Sequence, residues 1–175
     1  NFSSAIVQED DYIAVKFAGL NGSTDIMVSN VLDGSVNDPF DSEKFFKFKH
    51  YLSAVKIYAK AENSSQDISI WGDISNVIIM GQPTSCEISL PETASTEDND
   101  IFGEVKKWGT ENAKLPITTS PIFGSFDIGN HNNIEAEEYP ISLDSGNAEK
   151  YLGYSLIKPV AKDNDSLRIQ IHTSA

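Results

Sequence analysis

Cysteine is nearly missing from this chain of 175 residues, Cys86 being the only one, so no disulfide can form within it. No apolar run approaches the roughly 20 residues that a membrane-spanning helix needs, and no such span is expected. Basic residues are scarce: 13 lysines and arginines stand against 26 aspartates and glutamates, a formal charge of -13 with a pI near 4.5. A surface of that sign repels phosphate backbones, so nucleic acid is not an expected partner. The chain has no Gly-x-Ser-x-Gly elbow and no glycine-rich phosphate loop, and Gly19-Leu20-Asn21-Gly22 reads as a turn between strands. The three histidines, His50, His131 and His172, have no spacing that pairs them with each other or with Cys86 as metal ligands. Neither a cofactor nor a metal is expected, and no enzyme is.

What the chain has is alternation. Hydrophobic residues make up 39% of it and aromatics 10%, enough for one buried core, and one domain over residues 1–175 is expected. Tyr12 to Phe17 alternates with Ile13, Val15 and Phe17 on one face. Asp25 to Val31 is a short extended piece, followed by a polar loop from Leu32 to Glu43. Val77-Ile78-Ile79-Met80 is apolar on both faces, as an interior strand would be. Cys86-x-Ile88-x-Leu90 predicts a strand with Cys86 as a small buried hydrophobe. Tyr139 to Leu143 and Tyr151 to Val160 are extended, and Leu167, Ile169 and Ile171 form the inner face of a last strand with Arg168, Gln170 and His172 outward. Ile68 to Trp71 is read as a strand, and Phe102, Val105 and Trp108 at spacing of three suggest a helical turn from Ile101 to Trp108.

The longest pattern runs from Phe45 to Ala61. Phe46, Phe48, His50 and Leu52 share one parity, whereas Val55, Ile57, Ala59 and Ala61 take the other, so the apolar face switches near Ser53-Ala54. A β-bulge would restore the register within one strand. Phe45, Phe48, Leu52 and Val55 also recur at helical spacing, but the β-branched and aromatic content favours strand. Many short strands, frequent turns and short helical turns only predict an all-β, antiparallel β-sandwich.

The order Phe48-x-His50-x-Leu52-Ser53-x-Val55-x-Ile57 resembles the signature segment of the fimbrillin-like family of Bacteroidales pilus subunits and cell-surface adhesins. Asp25-Ile26-Met27-Val28-Ser29 upstream, Trp71 to Val77 downstream and Leu156-Ile157-Lys158-Pro159 look like further family elements. The resemblance implies a transthyretin-like sandwich, an exported lipoprotein at the outer membrane or in the fimbrium, and partners that are other pilus subunits or host and bacterial surface glycans and proteins. It implies assembly by β-strand exchange, in which a subunit loses its first strand and the next subunit's tail fills the groove. Tyr12 to Phe17 would be that strand, with Ile13, Val15 and Phe17 as groove-filling side chains and Leu167, Ile169 and Ile171 as the complementary terminal set. The loop Gly19 to Thr24 lacks the basic residue at which the family is processed, which leaves Lys16 as the nearest candidate. Family subunits are longer, so residues from Val160 on are candidates for the start of a second domain. Asn1 follows no leader-like segment, and an export signal is expected to have been removed.

The competing readings are plainer. His50 is expected to be a hydrogen-bonded structural histidine, because buried polar groups are normally satisfied. Asp98, Asp100 and Gly103 match three positions of a calcium loop, but Phe102 and Gly109 stand where ligands belong. Asp33, Asp38 and Asp41 read as a solvated acidic turn. Trp108 is the candidate glycan contact, and Trp71 is expected to pack at the edge of the core. A stand-alone carbohydrate-binding surface module is the alternative to the pilus subunit.

Overall fold

The computed structural model describes residues 1–34, 45–62, 69–95, 100–118, 139–143, 149–160 and 167–175. Backbone contacts divide it into two compact units, each assembled from separate stretches of chain. Both are built of antiparallel sheets, and among the described residues the only helical ones are Ser69, Ile70 and Trp71. The all-β expectation holds.

The first unit holds residues 1–20, 24–52 and 83–111. Its strands are β1 (Ser3–Gln8), β2 (Ile13–Ala18), β3 (Met27–Ser29), β4 (Phe48–His50), β7 (Ser85–Ser89) and β8 (Val105–Trp108). Four of them form a sheet in the order β1-β2-β7-β8, and β3 pairs with β4 as a separate ribbon. Ala14, Phe17, Cys86 and Ile88 from the sheet are buried, as are Ile26, Val28, Tyr51 and Leu52 in or beside the ribbon. Phe17, Cys86 and Ile88 share one face of the sheet, and Ala14 is buried on the other. Cys86 is buried and its thiol is pushed up to about 12 by burial, so it is a core hydrophobe and no nucleophile at neutral pH.

The second unit holds residues 21–23, 53–82 and 112–175. Here β5 (Ser53–Ala59) pairs with β10 (Lys150–Ile157), while β6 (Ile74–Pro83) lies between β11 (Arg168–Thr173) and β9 (Glu111–Pro116). One apolar cluster draws on both sheets: Ile57 from β5, Leu152 and Ile157 from β10, Val77 and Ile79 from β6. This is the two-layer arrangement that alternating strands are built to close. Strand β10 is buried from Leu152 to Ile157 without alternation, and its second edge is used as well: Tyr154 exchanges backbone bonds with Thr118, and the Leu156 N–H donates to the Gly22 carbonyl.

Several expectations need correction. The stretch from Phe46 to Ala61 is not one bulged strand. It is β4 in the first unit and β5 in the second, with Tyr51 and Leu52 between them. Changing sheets reverses the inward parity as a bulge would, and the sequence pattern is the same in both cases. Phe46 and Phe48 are consequently exposed, at 56% and 62%, while Ile57 faces the core as expected. Ile101 to Trp108 contains β8, no helix, and Ser69 to Trp71 is helical where a strand was expected. Ile141 makes a single bridge to Ile74 in place of a strand. Strands β1 and β9 were not anticipated at all. On β11 Ile169 and Ile171 share the face of their partners Ile79 and Val77, and Leu167 packs against the core, but at this edge Ile169 and Ile171 are left 43% and 52% exposed. Asp38, Asp41, Asp98 and His131 lie outside the described residues.

Candidate functional site

The two sheet edges at the chain's extremes come first. Strand β2 is the strand that the resemblance marks for exchange, but it is an interior strand, paired with β1 on one side and β7 on the other. Phe17 is buried, Val15 is half-buried and Ile13 is 45% exposed, whereas Ala14 is fully buried. The three share the face that Val15 and Phe17 present beside Ile88 and Cys86, but it is covered at Phe17 and open at Ile13, while Ala14 is buried on the other face. The edge position belongs to β1, whose register runs from Ser3 opposite Ala18 to Gln8 opposite Ile13. The Glu9 N–H donates to the Tyr12 carbonyl and closes the turn. Ile6 is 73% exposed, and Phe2 is anchored only in part, its ring stacking on Phe17 with centroids 6.2 Å apart. At the other extreme, β11 is the edge strand beside β6, with Ile169 opposite Ile79 and Ile171 opposite Val77.

The motif segments around Asp25 and His50 meet in space. Strands β3 and β4 pair with Met27 opposite His50 and Ser29 opposite Phe48. The Tyr51 N–H donates to the Ile26 carbonyl, and His50 Nδ1 contacts the Asp25 carboxylate. Asp25 also accepts from the Ile26 N–H at 2.8 Å, which holds it in place. His50 is therefore partnered, as a structural histidine is expected to be. Sequence spacing alone does not reveal this pair, because the two residues are 25 apart. Among the described residues no three histidine, cysteine or acidic side chains converge as metal ligands.

Beside the four-stranded sheet of the first unit, Tyr12 Oη donates to Glu87 at 2.6 Å, and Lys16 Nζ lies 3.4 Å from the same carboxylate. That Tyr12 hydrogen bond is the main reason that Glu87 is held below the usual carboxylate range and Tyr12 is pushed up to about 12. The signs differ. Glu87 supplies stability that is complete above its unfolded value near 4.5 and is lost as pH falls through its lower folded value. Tyr12 supplies stability that is complete below its unfolded value of 10.0 and is lost as pH rises toward 12. Burial also pushes Tyr139 and Tyr151 up to about 12. The melting temperature is therefore expected to be level from about pH 5 to 9 and to fall on both sides. In Tyr12→Phe the acid limb should shrink while the alkaline limb, still carried by Tyr139 and Tyr151, persists. An acid limb unchanged in that variant would refute the Tyr12–Glu87 assignment.

A groove of about 580 Å3 opens in the second unit, its wall including Tyr58, Lys60, Glu62, Trp71, Ile171 and Thr173. Trp71 is 60% exposed and Tyr58 46%, so Trp71 is not the core-edge packer that the sequence suggests. Its backbone is held nonetheless. The Ala175 N–H donates to the Trp71 carbonyl at 3.3 Å, and Asp73 exchanges bonds with Ser174 at 2.9 Å. Gly72 has φ of 67°, and a Cβ there would stand 2.4 Å from Ser174 Oγ, so only glycine makes this turn. The Tyr58 ring is braced by Tyr151, centroids 5.2 Å apart. Trp108 belongs to the first unit, half-buried at the end of β8 and opposite Cys86.

None of the family models, curated proteins or solved structures compared with the chain matches it.

Proposed function

We propose that this chain is a non-enzymatic surface subunit, a pilus (fimbrial) subunit or pilus-associated adhesin, that assembles by β-strand exchange. The observation that carries the reading is β1. Among the described residues it sits at a sheet edge and pairs with β2 alone. Nearly all its side chains are exposed, so backbone hydrogen bonds and the Phe2 contact hold it, with little apolar burial to lose. Removing it uncovers the edge of β2, a ladder ready to accept a strand from another copy. Exchange of β1 is physically simpler than exchange of Tyr12 to Phe17, because extracting β2 breaks two ladders and divides the sheet. The resemblance of the Asp25 to Ser29 and Phe48 to Ile57 segments to the fimbrillin-like signature supports the same reading, as does their pairing in one ribbon. Export to the cell surface is part of the proposal, and a strongly acidic surface suits it.

Immunogold electron microscopy of the producing cells with an antibody to this chain tests it. Label along filaments or at their tips is the expected result. Label spread over a filament-free surface would contradict it.

A further inference from the structure

We propose that the groove beside Trp71 and Tyr58 is a binding site for neutral oligosaccharides. This is independent of strand exchange, since the groove lies wholly within the second unit and contains no residue of β1. Its rim presents two large aromatic rings to solvent, Trp71 at 60% and Tyr58 at 46% exposure. Large aromatics are normally well buried, so two that share a groove mark a surface that gains by being covered. The backbone that carries Trp71 is tied down beyond the end of β11 by the Ala175 N–H bond to its carbonyl and by the Asp73–Ser174 bonds, and the Tyr58 ring leans on Tyr151. A braced ring such as Tyr58 loses little conformational entropy when a ligand stacks on it.

The remaining wall selects the ligand's chemistry. Ile171 continues the apolar surface, while Lys60, Glu62 and Thr173 bring an ammonium, a carboxylate and a hydroxyl to the same groove. A ligand that fits has a flat apolar face for the rings and hydroxyls around its rim for the polar groups. A pyranose ring has both. The volume of about 580 Å3 lies within the usual range for small-ligand sites of roughly 300–1,000 Å3. A formal charge of -13 and Glu62 at the rim disfavour sialylated or uronic-acid sugars. A buried lipid is disfavoured because the rings line the rim and are open to water.

A glycan array carrying neutral and sialylated oligosaccharides, probed with the full chain, gives the first readout. Each retained glycan is then titrated by fluorescence in a Trp108→Phe background, where Trp71 is the sole tryptophan, and by calorimetry with the wild type. Saturable binding to neutral glycans is expected, with Kd on the order of 0.1–1 mM for a shallow site. Trp71→Ala and Tyr58→Ala should each weaken it about tenfold or more, whereas Trp71→Phe, which keeps a ring, should lose less. Three results would overturn the proposal: no glycan retained, retained glycans bound equally by both alanine variants, or a Trp71 emission shift on dilution without sugar, which would mark the groove as a contact between copies. An effect of these variants on assembly without one on glycan binding would also overturn it.

Discussion

Gly103→Ala is expected to destabilise the first unit by about 3 kcal/mol, the upper end of what overpacking typically costs. A Cβ at this position would lie 1.8 Å from the Ser89 carbonyl oxygen, and that oxygen belongs to β7, in the middle of the four-stranded sheet. No rotamer relieves a clash with backbone, so a strand must move. The same spot carries several bonds. Tyr51 Oη donates to the Gly103 carbonyl at 2.7 Å, the Ser89 N–H donates to the Glu104 carbonyl at 2.9 Å, and the Glu104 N–H donates to Ser89 Oγ at 3.2 Å. Shifting Gly103 disturbs all of them, and Tyr51 is buried, so its lost partner adds to the penalty. Gly34 is exposed, and Gly34→Ala should change stability by less than about 0.5 kcal/mol. Urea midpoints of the two variants are the measurement. Equal midpoints would show that the approach of Gly103 to Ser89 is not a constraint on the fold.

Ile79→Ala should lower stability by about 3–4 kcal/mol and the melting temperature by about 10 °C in a chain of this size. Ile79 is fully buried in the middle of β6, in the cluster that joins β6 to Ile57, Leu152 and Ile157 of the facing sheet. Truncation leaves a cavity that both sheets line and neither can fill without breaking its ladder. Its cross-strand partner Ile169 has the same side chain but is 43% exposed, so Ile169→Ala should lose no more than about 1 kcal/mol. The contrast isolates burial from residue type. Comparable losses at both positions would mean that Ile169, at the β11 edge of this face, is covered in solution.

Alternation made some of this legible. Strands β2, β5, β6, β7, β10 and β11 stand near where the sequence pattern puts them, and the doubly apolar run at Val77 to Met80 is an interior strand. Inward faces were less legible. Ala14, small enough to look neutral, is fully buried, while Ile13 beside it is not. Strands β1 and β8 escaped because backbone pairing, and no apolar face, holds them: β1 is exposed almost throughout, and Lys106 and Lys107 are exposed in the centre of β8. The parity change near Ser53 was visible, but a bulge and a move to another sheet invert parity alike. The Asp25–His50 pair and the groove beside Trp71 bring together residues far apart in the chain, which no local spacing encodes.

Exchange of β1 between copies is the central claim, and intermolecular disulfide trapping tests it most directly. Ile6 lies opposite Val15 across β1 and β2, so one chain carrying Ile6→Cys is mixed with another carrying Val15→Cys under mild oxidation. The native Cys86 is buried and stays out of the reaction. If β1 of one copy takes its place along β2 of another, mixed disulfide dimers should accumulate well above either homodimer. Mixed dimers no more abundant than the two homodimers, or none at all, would mean that β1 stays with its own chain.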